Sequence, residues 1–378
     1  MAHYWQKKVC VFRQAIAGFV NPLSPDELAG LAMEEDIESR IVLHTPKKNP
    51  AWHLRRGPFT EEDFAQLPES DWTLLVQGVD RFVPEVASLL TYFSFIPAWR
   101  VDDVMISYAV ESGSVGPHYD NYDVFLYQAK GRRQWSLTTQ NCTPDNYLQD
   151  VELRIMNRFE TEESYILEEG DMLYLPPHVA HHGVSLSAEC MTYSFGYRSY
   201  QSQELWDSLG DYLAEKQLNY GLYQDPCFQK MTGSNVIPDT AWEKARDVLQ
   251  TIINDKKTMQ EWFGRLVTSI DQQAETLLPL PDEEAIDLVD FQQQLFQYAY
   301  LIHNPLCRFA YYQKEGDIEL FINGSLWCTA NVSVELVKLI ANHQRLETRQ
   351  LNQFADSATD MQFLADLWQL QWLECVDH

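Results

Sequence analysis

The residues able to do chemistry in this 378-residue chain gather in three short stretches. The first is Val115-Gly116-Pro117-His118-Tyr119-Asp120-Asn121-Tyr122-Asp123-Val124-Phe125. On a strand, residues two apart share a face, so His118 and Asp120 can present an imidazole and a carboxylate together. A lone H-x-D triplet is unspecific. The second stretch, Glu168-Glu169-Gly170-Asp171-Met172-Leu173-Tyr174-Leu175-Pro176-Pro177-His178-Val179-Ala180-His181-His182-Gly183-Val184, makes it more specific. Gly170-Asp171 forms a tight turn, an apolar strand follows, and two prolines stiffen the bend before a strand bearing histidines. Two imidazoles and one carboxylate would make a metal site. The third stretch is Gly131-Arg132-Arg133-Gln134-Trp135. Arginine forms paired hydrogen bonds with a carboxylate, and a dicarboxylic co-substrate chelating a metal needs such an anchor at its far end. Arg133 shares strand parity with Trp135, a large residue expected inside. Arg132 then faces outward, as a surface ion-pair former.

Positioning these groups requires a rigid sheet, and the pattern supplies one. From about Trp99 to Tyr200 the chain runs in short alternating segments rich in Val, Ile, Tyr, Phe and Thr, such as Asp103–Val110, Tyr122–Tyr127 and Met191–Tyr197. Closely spaced turn residues make this an antiparallel sandwich or barrel. Before it, Ser24-Pro25-Asp26-Glu27 reads as a capped helix start. After Tyr200 the period becomes helical, with helices over Glu204–Leu213, after Asp239-Thr240, and from Met259 to about Ile270. Such a module exposes apolar faces unless it packs on the barrel or on another subunit. Leu277–Glu284 reads as a linker. A helix around Phe291–Phe296, a hairpin Ile318–Cys328 turning at Asn323-Gly324, and helices near Val334–Ala341 and Met361–Trp368 follow. The expected domains are 1–200, a mainly β core that carries the three stretches, 201–278, a helical module, and 279–378, a winged-helix-like module.

Composition narrows the function classes. Lys plus Arg is 28 against 55 Asp plus Glu, a net charge of −27, which opposes binding to a phosphate backbone. From Glu283 to His378 there are five Lys/Arg against fourteen Asp/Glu, so the winged helix reads as a scaffold or protein-docking module rather than a DNA reader. No apolar run approaches the roughly 18 residues of a membrane span, and the start lacks a secretory signal. Seven scattered cysteines without a C-x-x-C pair argue against a disulfide scaffold or thiolate zinc cluster and suit the cytoplasm.

The second stretch is similar to the second cupin motif, in which Gly170, Pro176 and the ligand histidine hold fixed offsets. Those offsets select His181; His182 and His178 remain rivals. His118, Asp120 and His181 would then form the facial triad of non-haem Fe(II) oxygenases, a set that also suits zinc or manganese. Three protein ligands leave about three open positions on an octahedral ion. The joined motifs resemble the JmjC-type ribosomal oxygenases, specifically their bacterial branch, the ribosomal-protein arginine hydroxylases. Matching stretches are Asn21–Ala32, Trp99–Ser107, the H-Y-D-N-Y-D-V-F run, G-R-R-Q-W and Thr192–Arg198. Two departures stand out: His178 occupies a position that is glycine in many cupins, and the amino end looks shorter than usual for the family.

The resemblance implies a double-stranded β-helix (cupin jelly roll) that uses Fe(II), 2-oxoglutarate and O₂ to hydroxylate an arginine side chain of a basic large-subunit ribosomal protein. It implies His118, Asp120 and His181 as metal ligands and catalytic residues, with Arg133 holding the distal carboxylate of 2-oxoglutarate and Ser107 as a second contact. It places the substrate-arginine pocket at Asp103, Met105 and Tyr122, and it implies a homodimer through the middle helices. Asp103 can pair a guanidinium and Tyr122 can offer a π face; barrel core is the alternative role for Met105 and Tyr122. Two other functions stay open: a metal-dependent cupin enzyme acting on a small molecule, and a non-catalytic docking protein for basic ribosomal partners.

Overall fold

The computed structural model describes residues 3–149, 151–218, 220–225, 235–281, 287–314 and 316–377. The chain divides into two compact units, Met1–Gln201 and Ser202–His378. The first contains strands β1 (Cys10–Phe12), β2 (Ser39–His44), β3 (Trp52–Arg56), β4 (Trp72–Val76), β5 (Val101–Ala109), β6 (Asp123–Lys130), β7 (Arg133–Thr138), β8 (Glu163–Leu167), β9 (Met172–Leu175), β10 (Ala180–Ser185) and β11 (Cys190–Tyr197), and helices α1 (Pro25–Leu31), α2 (Glu61–Ala65) and α3 (Pro84–Ser88). Ser24 and Glu27 form the capping box that opens α1, with Pro25 at its first position.

Eight strands form one sheet in the order β1-β9-β6-β11-β5-β4-β2-β3, and β10-β7-β8 form a second. All pairs are antiparallel. The central strands are buried on both faces, and the period-two alternation sorts their side chains. Phe125, Tyr127, Val104, Ile106, Tyr193, Phe195 and Tyr197 join Leu28, Val86 and Phe93 in one core. Val124, Leu126, Leu173 and Leu175 point the other way and meet Trp135, Leu137 and Leu167 of the second sheet. The inward face of β5 carries Asp103, Met105 and Ser107, and that of β11 carries Thr192, Ser194 and Gly196. Polar side chains at positions a sheet core would make apolar mark where this barrel departs from plain packing.

The second unit holds α4 (Ser202–Glu215), α5 (Asp239–Asn254), α6 (Lys256–Thr268), α7 (Gln272–Leu277), α8 (Leu288–Leu295), β12 (Tyr300–His303), β13 (Phe309–Lys314), β14 (Asp317–Ile322), β15 (Ser325–Trp327), α9 (Val334–Asn342), β16 (Arg345–Glu347), α10 (Ala358–Gln369) and β17 (Leu373–Val376). Its core joins Phe291, Leu320, Ile322, Leu336, Ile340 and Leu364. Asn323 and Gly324 both take positive φ, as a tight hairpin turn requires. The helix read from Met259 packs on this hairpin. Gly264 lies under the Phe321 ring, where a Cβ would come within 2.5 Å, and Arg265 Nε donates to the carbonyl of Gly324 at 2.7 Å. No residue of α5 is buried, and Trp242, Leu249 and Ile253 are exposed. Asp282, Glu283 and Glu284 of the expected linker lie outside the described residues. Among the described residues no helix is long and apolar enough to cross a membrane.

Candidate active site

His118 and His181 meet across a single antiparallel bridge. The N–H of His118 donates to the His181 carbonyl at 3.0 Å, and the N–H of His181 donates back at 2.7 Å. This exchange sets the two rings 4.2 Å apart, centre to centre. The expected regular strand through His118 and Asp120 is absent. After the bridge the chain leaves the sheet, and Asp120 is held instead by the N–H of His178, which donates to its carbonyl at 2.8 Å.

The ring tautomers follow from their partners. Nδ1 of His118 lies 2.9 Å from the carbonyl of Gly116, and Nδ1 of His181 lies 3.2 Å from that of Val179. A carbonyl only accepts, so each Nδ1 carries the proton and each Nε2 keeps its lone pair for a metal. Asp120 Oδ2 is 3.7 Å from His181 Nε2. The ligand atoms of His118, Asp120 and His181 all lie within 4.8 Å of one another, and no other such His/Cys/Asp/Glu group occurs among the described residues. Burial and the neighbouring His118 pull the His181 imidazole down to about 4, so it is neutral, the form that ligates. The rival histidines stay outside the cluster. His182 turns to the opposite face, its ring 6.0 Å from Phe159, and His178 is exposed with φ of +64°.

Arg133 projects from β7 into the same barrel and is 5% exposed. Its Nη1 reaches Ser107 Oγ at 3.4 Å, while Nε and Nη2 have no hydrogen-bond partner among the described residues. Its guanidinium carbon sits 5.6 Å from the Trp135 ring, which is itself 5.6 Å from the His181 ring. Gly183 makes room for that indole, since a Cβ there would fall 2.6 Å from it. A buried cation with orphaned donors is costly unless an anion completes it. The site therefore fits both implied groups: two imidazoles and a carboxylate for a metal, and an unpartnered guanidinium for a carboxylate. Arg132 is exposed, as its parity requires.

Ser107 belongs to a polar row. Register places Ser107 opposite Thr192, and Thr192 opposite Gln128. Thr192 Oγ1 donates to Gln128 Oε1 at 3.2 Å, and the Gln128 amide donates to the carbonyls of Lys130 and Met191 at 2.7 and 3.2 Å. Thr192 and Gln128 escaped the sequence reading, although a glutamine at an inward position of the otherwise apolar inward face of β6, and a polar inward face along β11, were signals. Met105 faces Ser194 one rung away and is half-buried.

At the far end of β5, Asp103 is buried, and its Oδ2 accepts from Gln77 Nε2 at 2.6 Å and from the Gly78 N–H at 2.8 Å. Burial, then the neighbouring Asp80 and Asp102, raise its carboxyl to about 7. Oδ1 lies beside Gly196, where an added methyl would just touch it at 3.4 Å. Tyr122 keeps part of its ring open to solvent, but its hydroxyl is withdrawn from water and sits in the field of Asp120, Asp103 and Asp102, so it titrates well above the ordinary phenol. Asp123, the last carboxylate of the motif, is fully buried. It accepts from the Tyr174 hydroxyl at 2.6 Å and from Arg100, Gln6 and Ser199, each at 3.1 Å.

Two family models match the chain: a JmjC domain over residues 88–205 and a ROXA-like winged helix over 251–374. The ribosomal protein uL16 3-hydroxylase of Escherichia coli is 35% identical over 300 residues, which are 78% of this chain and 77% of that protein. A probable ribosomal oxygenase of Haemophilus influenzae is 28% identical over 372 residues, 96% of this chain and 90% of the relative. The X-ray structure of E. coli YcfD matches with a TM-score of 0.85 at 30% identity, covering 99% of this chain and 96% of that one. The structure of YcfD, a ribosomal oxygenase, in complex with cobalt and 2-oxoglutarate matches over the same shares at 0.81 and 29%. A cupin-type JmjC barrel with a His-Asp-His cluster, joined to a ROXA-like winged helix and matched along nearly its whole length, belongs to the bacterial branch of the JmjC-type ribosomal oxygenases.

Proposed function

We propose that this chain is an Fe(II)- and 2-oxoglutarate-dependent oxygenase that hydroxylates an arginine side chain of a large-subunit ribosomal protein. The first candidate substrate is uL16, named for the E. coli relative. The observation that carries the reading is the buried Arg133 guanidinium with two orphaned nitrogens in the barrel of the His-Asp-His cluster. His118, Asp120 and His181 would hold the metal; Arg133, with Ser107, would hold the distal carboxylate of 2-oxoglutarate. When bound, iron and 2-oxoglutarate supply the activation of O₂, with 2-oxoglutarate converted to succinate and CO₂. The protein contributes position and exclusion of water. Trp135 and the apolar walls of the two sheets keep the anchor dry, and the backbone acceptors of Gly116 and Val179 hold both imidazoles in the ligating tautomer. Asp103 would pair the arriving guanidinium, with Met105 and Tyr122 lining its path.

The rest of the chain fits a basic protein substrate. A net charge of −27 speeds encounter with such a partner and disfavours direct nucleic-acid binding. In this reading residues 1–200 catalyse, 201–278 dimerise and 279–378 dock or brace. The apolar stripe of α5, exposed in one copy, would be covered by its equivalent in a homodimer. Ribosomal substrates put the enzyme in the cytoplasm.

The test is succinate formation from 2-oxoglutarate by the full-length chain with ferrous iron, with and without a uL16 peptide. Peptide-stimulated turnover, together with one oxygen atom added to an arginine, is expected. Stimulation by small metabolites alone would favour a small-molecule cupin enzyme, and metal-independent peptide binding without turnover a docking protein.

A further inference from the structure

Asp103 does not choose its own orientation. Gln77 and Gly78 leave β4 in sequence, and Gly78 takes φ of +59°, a conformation glycine adopts without strain. This turn aims the Gly78 N–H at Asp103 Oδ2, the same oxygen that accepts from Gln77 Nε2. Behind Gln77, Arg40 of β2 donates from Nη2 to Gln77 Oε1 at 3.1 Å. Arginine has donors only, so Gln77 must turn its oxygen toward Arg40, and its NH₂ is left facing Asp103. The relay therefore has one direction, from Arg40 through Gln77 to Oδ2. Both donors spend themselves on Oδ2, and Oδ1 is left beside Gly196.

We infer that Gln77, locked by Arg40, is a positioning residue for substrate recognition: it clamps the Asp103 carboxylate by Oδ2 so that Oδ1 faces the arriving guanidinium. This deepens the proposed function and rests on Asp103 meeting the substrate arginine. Gln77 is half-buried at a strand end and belongs to neither the metal cluster nor the Arg133 anchor.

The experiment measures kcat, peptide KM and 2-oxoglutarate KM for full-length wild type, Gln77→Ala, Gln77→Glu, Asp103→Asn and the Gln77→Ala/Asp103→Asn double variant, with a uL16 peptide. Loss of one hydrogen bond to a charged group predicts a peptide KM raised about tenfold in Gln77→Ala, with kcat and 2-oxoglutarate KM unchanged. Gln77→Glu keeps the shape and the Arg40 contact but turns an acceptor on Asp103, so it should raise peptide KM at least as much. It also serves if the alanine variant folds poorly. In the Asp103→Asn background, Gln77→Ala should add little, the coupling that a purely structural role would not show. An unchanged peptide KM in both Gln77 variants, or a full effect persisting without the Asp103 carboxylate, overturns the inference while Asp103→Asn alone still raises peptide KM. Should Asp103→Asn leave peptide KM unchanged, the pocket itself is misplaced and both readings fall.

Discussion

Asp123 and Arg133 are both buried charges of the first unit, and the fold treats them in opposite ways. Four side chains converge on Asp123, so its two oxygens are held from the amino end, from Arg100 just before β5, from β9 and from the residues after β11. Arg133 has one long hydrogen bond, to Ser107, and two nitrogens without a hydrogen-bond partner among the described residues. A buried charge whose partners are all internal locks strands together. One whose partners are missing is kept for something that arrives. Asp103 stands between them, clamped on Oδ2 and open on Oδ1.

The largest effect should come from the cluster itself. His118→Ala or Asp120→Ala is expected to reduce succinate formation to background while the thermal transition stays near wild type, because neither side chain belongs to the Asp123 network. Retained turnover would remove that residue from the ligand set.

Asp123→Ala leaves the half-buried Arg100 without its carboxylate and should cost about 3–5 kcal/mol in a denaturant titration, the usual penalty for breaking a buried pair. Arg133→Ala removes a buried charge that no carboxylate among the described residues pairs, so stability should hold or rise. Its penalty should appear instead as a 2-oxoglutarate KM raised tenfold or more, roughly the loss of one charge-assisted contact. If Arg133→Ala destabilised the fold as Asp123→Ala does, the distinction between brace and anchor would be lost.

A smaller, pH-dependent effect belongs to Asp103. Its carboxyl titrates at about 7, so below that pH a guanidinium must displace a proton in order to bind. Peptide KM should fall as pH rises toward 7 and level off above it, and Asp103→Asn should flatten the profile at a high KM. A wild-type profile with no break near neutrality, under conditions where 2-oxoglutarate is saturating, would argue against ionised Asp103 as the receptor.

How much of this the sequence revealed depends on the range of the interaction. The approach of His118 and Asp120 was legible because two residues of spacing suffices, although a bridge and a His178 hydrogen bond, rather than a regular strand, deliver it. Arg133 was legible through its parity with Trp135. The brace around Asp123 was not, since its donors come from Gln6, Arg100, Tyr174 and Ser199, brought together only by strand order. The Gln77–Gly78 clamp was hidden for the same reason, and the Ser107–Thr192–Gln128 row also depends on a register shift between Met191 and Thr192. The assignment of α6 to the helical module followed its period, which does not encode the contacts of Gly264 with Phe321 and of Arg265 with Gly324 that pack it on the hairpin.

The smallest effect concerns a residue that is neither charged brace nor anchor. His178 holds φ of +64°, where a side chain costs about 1–2 kcal/mol relative to glycine. Glycine would relieve that strain but lose roughly 0.5–1 kcal/mol more backbone entropy on folding. His178→Gly should therefore stabilise the first unit by about 1 kcal/mol or less, a net of those two costs. The N–H that holds the Asp120 carbonyl survives the change, so turnover and both KM values should be preserved. His178→Ala keeps the strained backbone without the ring and should show no gain. A loss of peptide use in both variants, with 2-oxoglutarate KM intact, would mean that the exposed imidazole touches the substrate. The recognition surface would then extend from Asp103 past the His-Asp-His cluster to the turn that holds the Asp120 carbonyl.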